Sequence, residues 1–560
     1  DDGWDDPAAG LWAFDKRKFP NEFRVVAEKA RSMGAGMSVW LSPWGGYGQA
    51  KVERLKHGKR QGLEANSLGF SLAGPRYYAR FRQAVLEFRR RSHVNMFKFD
   101  GIAGEGSEVY AEIEAMLQIM LAIRQDANAT GAPPRGAAEQ PGEGPGTEQS
   151  RTGSGRDAFW INLTTGTWPS PFFLLWVDSI WRGSADVDTP KMPALAGLEA
   201  RQRWQVWREC VVFTQVVQRA ELFPLAHVML HGAVVAAHGD ALELGLDAYT
   251  PLSWAQEVWS FVAMGVQLQE LYVSPRQMAP WAWDELAQAL RWAREHADVL
   301  QDARWAIPAA CAAAEAGDEA FPPYGMASWR ERTGGAGNGF VLLRNPRDRA
   351  QAVPEFRLAE ALELPARLAD EAFVVEAVRR LAPGSDAGSL NSTAAASGIS
   401  CAELGVGAEG AAAEELSPGR CRVAGGAVLR LSLRRTEVLL LRVDLDSWGW
   451  LGDFGNSTRQ EREIQARNER AFGKVNVKFT NACCDGVQLK WVPEPPGHPV
   501  DEGPWGLHST NPQVTFPGHV FQVYRGDVVL KRWEIDPDMD GQVLTLTGAD
   551  LQAAGGRAAA

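Results

Sequence analysis

A chain of 560 residues is too long for one hydrophobic core, so about two to four domains are expected. Its 58 basic and 69 acidic residues leave a net charge of −11, which argues against a nucleic-acid or anionic-membrane partner, because phosphate binding needs a basic surface. A hydrophobic share of 45% with 22 Trp fits a globular protein, and no apolar run is long enough to span a bilayer.

In chain order, short apolar strands alternate with amphipathic helices to about residue 310. Residues 37–41 read as a strand. Residues 77–91 read as a helix with apolar Phe81, Val85 and Phe88 on one face. Strand 94–99 and helix 109–124 follow. Residues 126–157 are rich in Gly, Pro, Glu and Ser, bury little apolar area, and are predicted to be a disordered insertion. Next come strand 159–163, a short helix or strand at 174–180, helix 201–217, late strands at 225–230 and 265–272, and a strongly periodic helix at 281–300. This alternation argues for a parallel barrel or a doubly wound sheet.

After residues 321–325 the pattern changes to antiparallel strands at 339–344, 373–378, 427–433 and 437–443, with Asn345-Pro346-Arg347-Asp348 as a turn. Residues 383–418 form a second Gly/Ala/Ser-rich insertion. Beyond a polar stretch, residues 475–533 carry further short strands of a compact all-β module. The six Cys make neither a zinc pattern nor a dense disulfide framework; Cys401 and Cys421 flank a loop and could pair, with free thiols the equal alternative. The chain starts at Asp1 without Met or a charged-then-apolar leader, which leaves localisation open, secreted and vacuolar or lysosomal residence included.

The chemistry concentrates in two segments. Val94-Asn95-Met96-Phe97-Lys98-Phe99-Asp100-Gly101 is an apolar strand that ends in Asp100, and a barrel enzyme keeps its chemistry at the C-terminal ends of its strands. Lys98 lies two residues earlier, on the same side of the strand. Trp181-Arg182-Gly183-Ser184-Ala185-Asp186-Val187-Asp188 supplies a second carboxylate, Asp186 or its neighbour Asp188. Glycoside hydrolysis needs two carboxyl groups flanking the scissile bond. Taken alone, Lys98 and Asp100 read as a structural pair at a strand end.

Lys98-Phe99-Asp100-Gly101 resembles the nucleophile strand of the α-galactosidases of glycoside hydrolase families 27 and 36. Trp181-Arg182 followed by Ala185-Asp186-Val187-Asp188 resembles their acid/base segment, and Asp1-Asp2-Gly3-Trp4 resembles their galactose-binding aspartates. The three motifs stand in the family's order. The resemblance implies an α/β fold, a (β/α)8 TIM barrel over residues 1–315, followed by an antiparallel β-sandwich over 320–446. It implies a retaining α-galactosidase-like hydrolase that needs no cofactor or metal. Asp100 would be the nucleophile and Asp186 the acid/base. Lys98 and Arg182 would contact the sugar, Asp1 and Asp2 would grip its 4- and 6-hydroxyls, and Trp4 and Trp44 would wall the pocket, with Trp40 the alternative to Trp44 and at least as well explained by packing. The substrate would be a terminal α-linked galactose, or a related sugar, of an oligosaccharide or glycoconjugate.

The chain also departs from the family. In this reading Asp1-Asp2-Gly3-Trp4 ends the second barrel strand, and the first is absent. Asn162-Leu163-Thr164-Thr165-Gly166-Thr167-Trp168-Pro169 lacks the family patterns that read the sugar 2-hydroxyl. Loop Ser42-Pro43-Trp44-Gly45-Gly46-Tyr47-Gly48 lacks the usual acidic residue and reads as facing substrate. His227 and His231 read as structural or substrate-contacting rather than as metal ligands, and Gln269 or Glu270 as lining the pocket mouth or an ordinary loop. Residues 447–471 read as a linker. Residues 472–548 resemble the β domain of the von Hippel–Lindau protein through Phe479-Thr480-Asn481, Leu489-Lys490-Trp491-Val492 and the segment from Phe516 to Phe521. That resemblance carries over a fold, and leaves a protein partner for the module open. The rival functional reading is a non-hydrolytic carbohydrate-binding or protein-interaction scaffold built on the same barrel.

Overall fold

A computed structural model of the chain describes residues 3–102, 108–129, 159–164, 170–184, 188, 195–219, 223–266, 268–309, 311, 321–331, 337–369, 371–384, 399–404, 414–417, 419–446, 475–492, 500–505, 507–515, 519–526, 528–535 and 542–551. Six parallel strands form the first sheet in sequence order: β1 (Met37–Leu41), β2 (Val94–Asp100), β3 (Trp160–Thr164), β4 (Ser179–Trp181), β5 (Val228–Val235) and β6 (Leu268–Val273). Around it stand α1 (Arg24–Ser32), α2 (Gly48–Arg60), α3 (Pro75–Ser92), α4 (Glu108–Ala129), α5 (Ala200–Val212), the short α6 (Gly239–Glu243), α7 (Pro251–Ala263) and α8 (Pro280–Glu295).

Strand alternation gives the sheet two different faces. Val39, Leu41, Phe97, Phe99, Ile161, Leu163, Ile180, Val228 and Leu230 are buried in one core with Phe81, Val85 and Phe88 of α3 and Ile119, Met120 and Ile123 of α4. The opposite face carries Trp40, Lys98 and Asn162 in register across β1, β2 and β3. Farther round, Trp181 pairs with Met229 and His231 with Glu270.

Lys98 on β2 meets Glu270 on β6 at 2.9 Å. In a flat sheet, strands four places apart would be separated by about 19 Å, beyond the joint reach of the two side chains. The sheet is therefore strongly curled, with the polar face inside. The sequence led to a (β/α)8 barrel lacking its first strand; the described residues give six strands and no closure, with β1 and β6 as lateral edges of one neighbour each. Six strands span only part of the circumference that eight would close. The segment expected to end a barrel strand does not do so in its described part. Asp1 and Asp2 lie outside the described residues, and Trp4 precedes a single isolated bridge between Asp5 and Phe14.

Other expectations also change. α4 continues to Ala129, so the predicted insertion begins later than residue 126; Asp126 accepts from Arg90 Nε at 2.8 Å and from Arg89. The predicted helix over 281–300 breaks after Glu295, and the predicted helix over 201–217 passes into a wider π turn at Phe213–Val217.

The second region is built from β7 (Arg304–Ile307), β8 (Tyr324–Glu331), β9 (Gly337–Arg344), β10 (Gln351–Ala352), β11 (Phe356–Arg357), β12 (Ala372–Leu381), β13 (Glu414–Ser417), β14 (Arg420–Ala424), β15 (Val428–Leu429), β16 (Ser432–Leu433) and β17 (Val438–Leu445). Seven of them make one antiparallel sheet in the order β13-β14-β12-β17-β9-β8-β7. β7 pairs with β8, so this region begins inside the span assigned to the barrel from sequence. The stretch read as low complexity also contributes: β13 pairs with β14, and Cys401 is bonded to Cys421. A second disulfide, Cys210–Cys311, ties α5 to the chain that leads into β8. Buried polar contacts join the regions. Arg344 Nε lies 2.6 Å from Glu209, which also accepts from Tyr324 at 2.6 Å.

The C-terminal strands β18 (Val475–Asn481), β19 (Val487–Val492), β20 (Val500–Trp505), β21 (Thr510–Thr515), β22 (Val520–Arg525), β23 (Val528–Glu534) and β24 (Gln542–Leu546) form a three-stranded and a four-stranded sheet around Phe479, Leu489, Phe521, Val523 and Leu546. The predicted linker at 447–471 lies outside the described residues.

Candidate active site

Asp100 is the last residue of β2, on the concave face. Trp40, one strand away, donates its indole N–H to Asp100 Oδ2 at 3.0 Å, and the Tyr47 hydroxyl donates to Oδ1 at 3.2 Å. Both donors are neutral, so they orient the carboxyl group without cancelling its charge. Gly101 follows with φ +78°; a Cβ there would lie 2.4 Å from the Trp44 ring. Only glycine lets the chain leave β2 in that conformation with the indole against it. Trp44 is half-buried, carries Lys51 Nζ 4.8 Å from its ring centroid and meets Tyr47 edge-on at 5.8 Å. Burial lowers the pKa of the Lys51 ammonium.

The loop holding Trp44 and Tyr47 is fixed from below by Arg54 of α2. Arg54 is fully buried, binds both carboxylate oxygens of Asp5 at 2.8 and 2.7 Å, and donates to the Gly45 carbonyl at 3.0 Å. Gly46, at φ +91°, passes so close that a Cβ would come within 2.5 Å of Arg54 Nη1. A bidentate Arg–carboxylate pair is the geometry suited to holding a backbone loop.

Lys98 does not pair with Asp100, the strand-end partner that its position alone suggested. Its ammonium goes to Glu270, which also receives His231 Nε2 at 2.7 Å and the Tyr272 hydroxyl at 3.2 Å. Tyr272 and His231 touch at 3.1 Å. Burial works to raise the Glu270 pKa, but the hydrogen bond from His231 and the charge of Lys98 outweigh it and hold it at about 2. Burial lowers the His231 pKa against the pull of Glu270. The Lys98 ammonium supplies a charge opposite to that of the Glu270 carboxylate.

Two of the expected sugar contacts are buried instead. Trp4 is 5% exposed, packed among Trp12, Phe14, Phe23 and Phe88, with its indole N–H on the Trp40 carbonyl at 3.2 Å. It supports β1 rather than walling a pocket. Arg182 is 0% exposed; its guanidinium lies over Trp181 at 4.1 Å and Trp207 at 5.1 Å. Stacking between two indoles removes it from a surface that a sugar could reach. Asn162 is also fully buried, its amide donating to Ser179 Oγ at 2.9 Å. Asp186 and residues 165–169 lie outside the described residues, as do Asp1 and Asp2. Asp188 is exposed. His227 Nδ1 bonds the Asp178 carbonyl at 2.8 Å, as a structural histidine would. Among the described residues, no group of three or more His, Cys, Asp or Glu could hold a metal ion.

Sequence reasoning missed Tyr47 as a partner of Asp100, and it left Glu270 undecided. The signal for Tyr47 was the Gly45-Gly46-Tyr47-Gly48 run in the loop between β1 and α2. For Glu270 it was the alternation Leu268, Glu270, Tyr272 along β6.

No family model matches the chain, and no curated protein matches it. Solved structures similar to it include a Bacillus halodurans protein provisionally named an α-N-acetylgalactosaminidase, at 12% identity over 79% of this chain and 83% of that one, with a TM-score of 0.42. A variant family 36 α-galactosidase from Geobacillus stearothermophilus, solved with stachyose, is 11% identical over 79% of this chain and 50% of its own, with a TM-score of 0.43. An α-galactosidase from Saccharomyces cerevisiae is 12% identical over 77% and 84% respectively, with a TM-score of 0.38.

Proposed function

We propose that the chain is a retaining α-galactosidase-like glycoside hydrolase acting on a terminal α-linked galactose, or a related sugar, of an oligosaccharide or glycoconjugate. The observation that carries this reading is Asp100: a carboxyl group at the C-terminal end of a parallel strand, on the concave face, oriented by Trp40 and Tyr47. The motif resemblance supplies its partner, Asp186.

In the first step the Asp186 carboxylic acid gives its proton to the glycosidic oxygen. An Asp100 oxygen bonds to the anomeric carbon as the bond to the leaving alcohol breaks. In the second step the Asp186 carboxylate takes a proton from water, the water oxygen attacks the anomeric carbon, and the ester to Asp100 breaks. The two carboxyl groups of a retaining enzyme sit about 5–5.5 Å apart. Trp44 offers an aromatic wall next to Asp100, and Lys98 a donor to a sugar hydroxyl. The C-terminal module, by its resemblance to the von Hippel–Lindau β domain, is proposed as a site for a protein partner.

The test is release of nitrophenol from α-galactoside, α-glucoside and α-N-acetylgalactosaminide substrates by wild type and Asp100→Asn. Hydrolysis that Asp100→Asn abolishes, with a glycosyl adduct trapped on Asp100, supports the reading. An adduct on any other residue overturns the nucleophile, and a folded protein inactive on all three overturns the specificity. Asp186→Ala should slow substrates with poor leaving alcohols far more than nitrophenyl glycosides, because only the former need the proton.

A further inference from the structure

The concave face holds a second charged cluster that neither carboxylate role uses. Glu270 on β6 collects three donors from three strands: Lys98 of β2 at 2.9 Å, His231 of β5 at 2.7 Å and Tyr272 of its own strand at 3.2 Å. His231 is in turn packed between the rings of Trp181, at 4.4 Å, and Tyr272, at 4.7 Å. The side chains of Lys98 and Glu270 are 13% and 17% exposed, so the pair sits at the floor of the concave face rather than in bulk water. An ammonium has three N–H groups. Glu270 takes one of them, and two remain for other acceptors. Lys98 lies two residues before Asp100 on the same strand face.

We propose that Glu270 is a positioning residue: with His231 and Tyr272 it fixes the Lys98 ammonium across the curled sheet, at the height where a sugar bound against Asp100 presents a hydroxyl. The inference rests on the glycosidase reading above. A lysine is a flexible point charge with four rotatable carbons, and it loses much of its freedom when held. An anchor on the far wall removes that freedom before substrate arrives, so the contact to the sugar hydroxyl carries less ordering cost. Glu270 touches no reacting atom. Its effect passes through Lys98, and that makes it separable from a purely structural carboxylate.

The test is a double-mutant cycle on nitrophenyl α-galactoside hydrolysis, with Glu270→Gln, Lys98→Met and the double variant. Glu270→Gln keeps the side-chain shape and is expected to lower kcat/KM by about tenfold to a hundredfold, the range for a hydrogen bond to a charged group. Most of the loss should fall on KM. The double variant should be no worse than Lys98→Met alone, and Glu270→Asp should recover part of the loss. Tyr272→Phe, which removes one donor from Glu270, is the second probe should Glu270→Gln fail to fold; it too should cost activity only when Lys98 is present. If wild type turns over in an Asp100-dependent way but the two losses simply multiply, or Glu270→Gln loses nothing, the inference is overturned and the glycosidase reading stands. If folded wild type hydrolyses no α-glycoside, the glycosidase reading falls and takes the inference with it.

Discussion

The Trp40 indole and the Asp100 carboxylate meet at 3.0 Å across the pairing of β1 with β2. Their backbones are fixed in parallel register, so the hydrogen bond is set by the sheet rather than by a mobile loop. Trp40→Phe keeps an aromatic ring and deletes only the N–H. It is expected to lower kcat/KM by about tenfold or more. The support from Trp4 goes to the Trp40 backbone carbonyl, so the melting temperature should shift little. Steady-state kinetics beside a thermal melt check both; unchanged kinetics would remove Trp40 from the site.

Tyr47 reaches the other oxygen of Asp100 from a residue that is 52% exposed. Water competes for such a hydroxyl, so Tyr47→Phe should cost less than Trp40→Phe, about threefold to tenfold in kcat/KM. Its effect on stability should stay within about 0.5 kcal/mol. A loss larger than that of Trp40→Phe would mean that the hydroxyl touches the substrate itself.

Arg54 and Asp5 form a pair with side chains 0% and 1% exposed. Arg54→Met leaves Asp5 as a buried charge without its partner, which typically costs about 3–5 kcal/mol. Urea unfolding measures this. Because Arg54 also binds the Gly45 carbonyl, the variant should lose activity along with stability. Asp5→Asn with Arg54→Met, which removes both charges, should regain part of the stability.

His519 in the C-terminal module has its pKa lowered to about 4 by burial, against an unfolded value of 6.5. The folded state therefore resists protonation. Stability is unaffected above pH 6.5 and falls as the pH drops from 6.5 towards about 4, where the unfolded chain binds a proton that the fold refuses. The gap corresponds to about 3 kcal/mol. Urea unfolding at pH 7 and pH 4.5 should show this loss in wild type and a smaller one in His519→Gln.

How far the sequence foretold this arrangement depends on the range of the signal. β2 was legible because Phe97 and Phe99 alternate with Lys98 and Asp100, and the buried face enforces that alternation. α2 was not, because its Gly48–Arg60 sequence is polar on nearly every side and buries only Arg54 and Gly58. The pairing of Lys98 with Glu270 spans 172 residues and exists only because the sheet curls. The disulfide between Cys210 and Cys311 closes 101 residues, a distance at which cysteine spacing carries no pairing information. The strongest motifs, at Asp100 and Arg182, were found from residue identity, yet Arg182 proved to be an indole-stacked core residue, because identity says nothing of exposure.

The curl of the first sheet has a mechanical consequence. A barrel closed by backbone hydrogen bonds has a fixed bore. Here β2 and β6 are joined over the floor of the concave face by a side-chain clasp, Lys98 to Glu270, with His231 and Tyr272 as its catch. A clasp of this kind answers to its surroundings. Acid strong enough to protonate Glu270 would remove the charge that holds Lys98. The contact between β2 and β6 across the curl is then held by charge, where a closed barrel would be held by backbone hydrogen bonds.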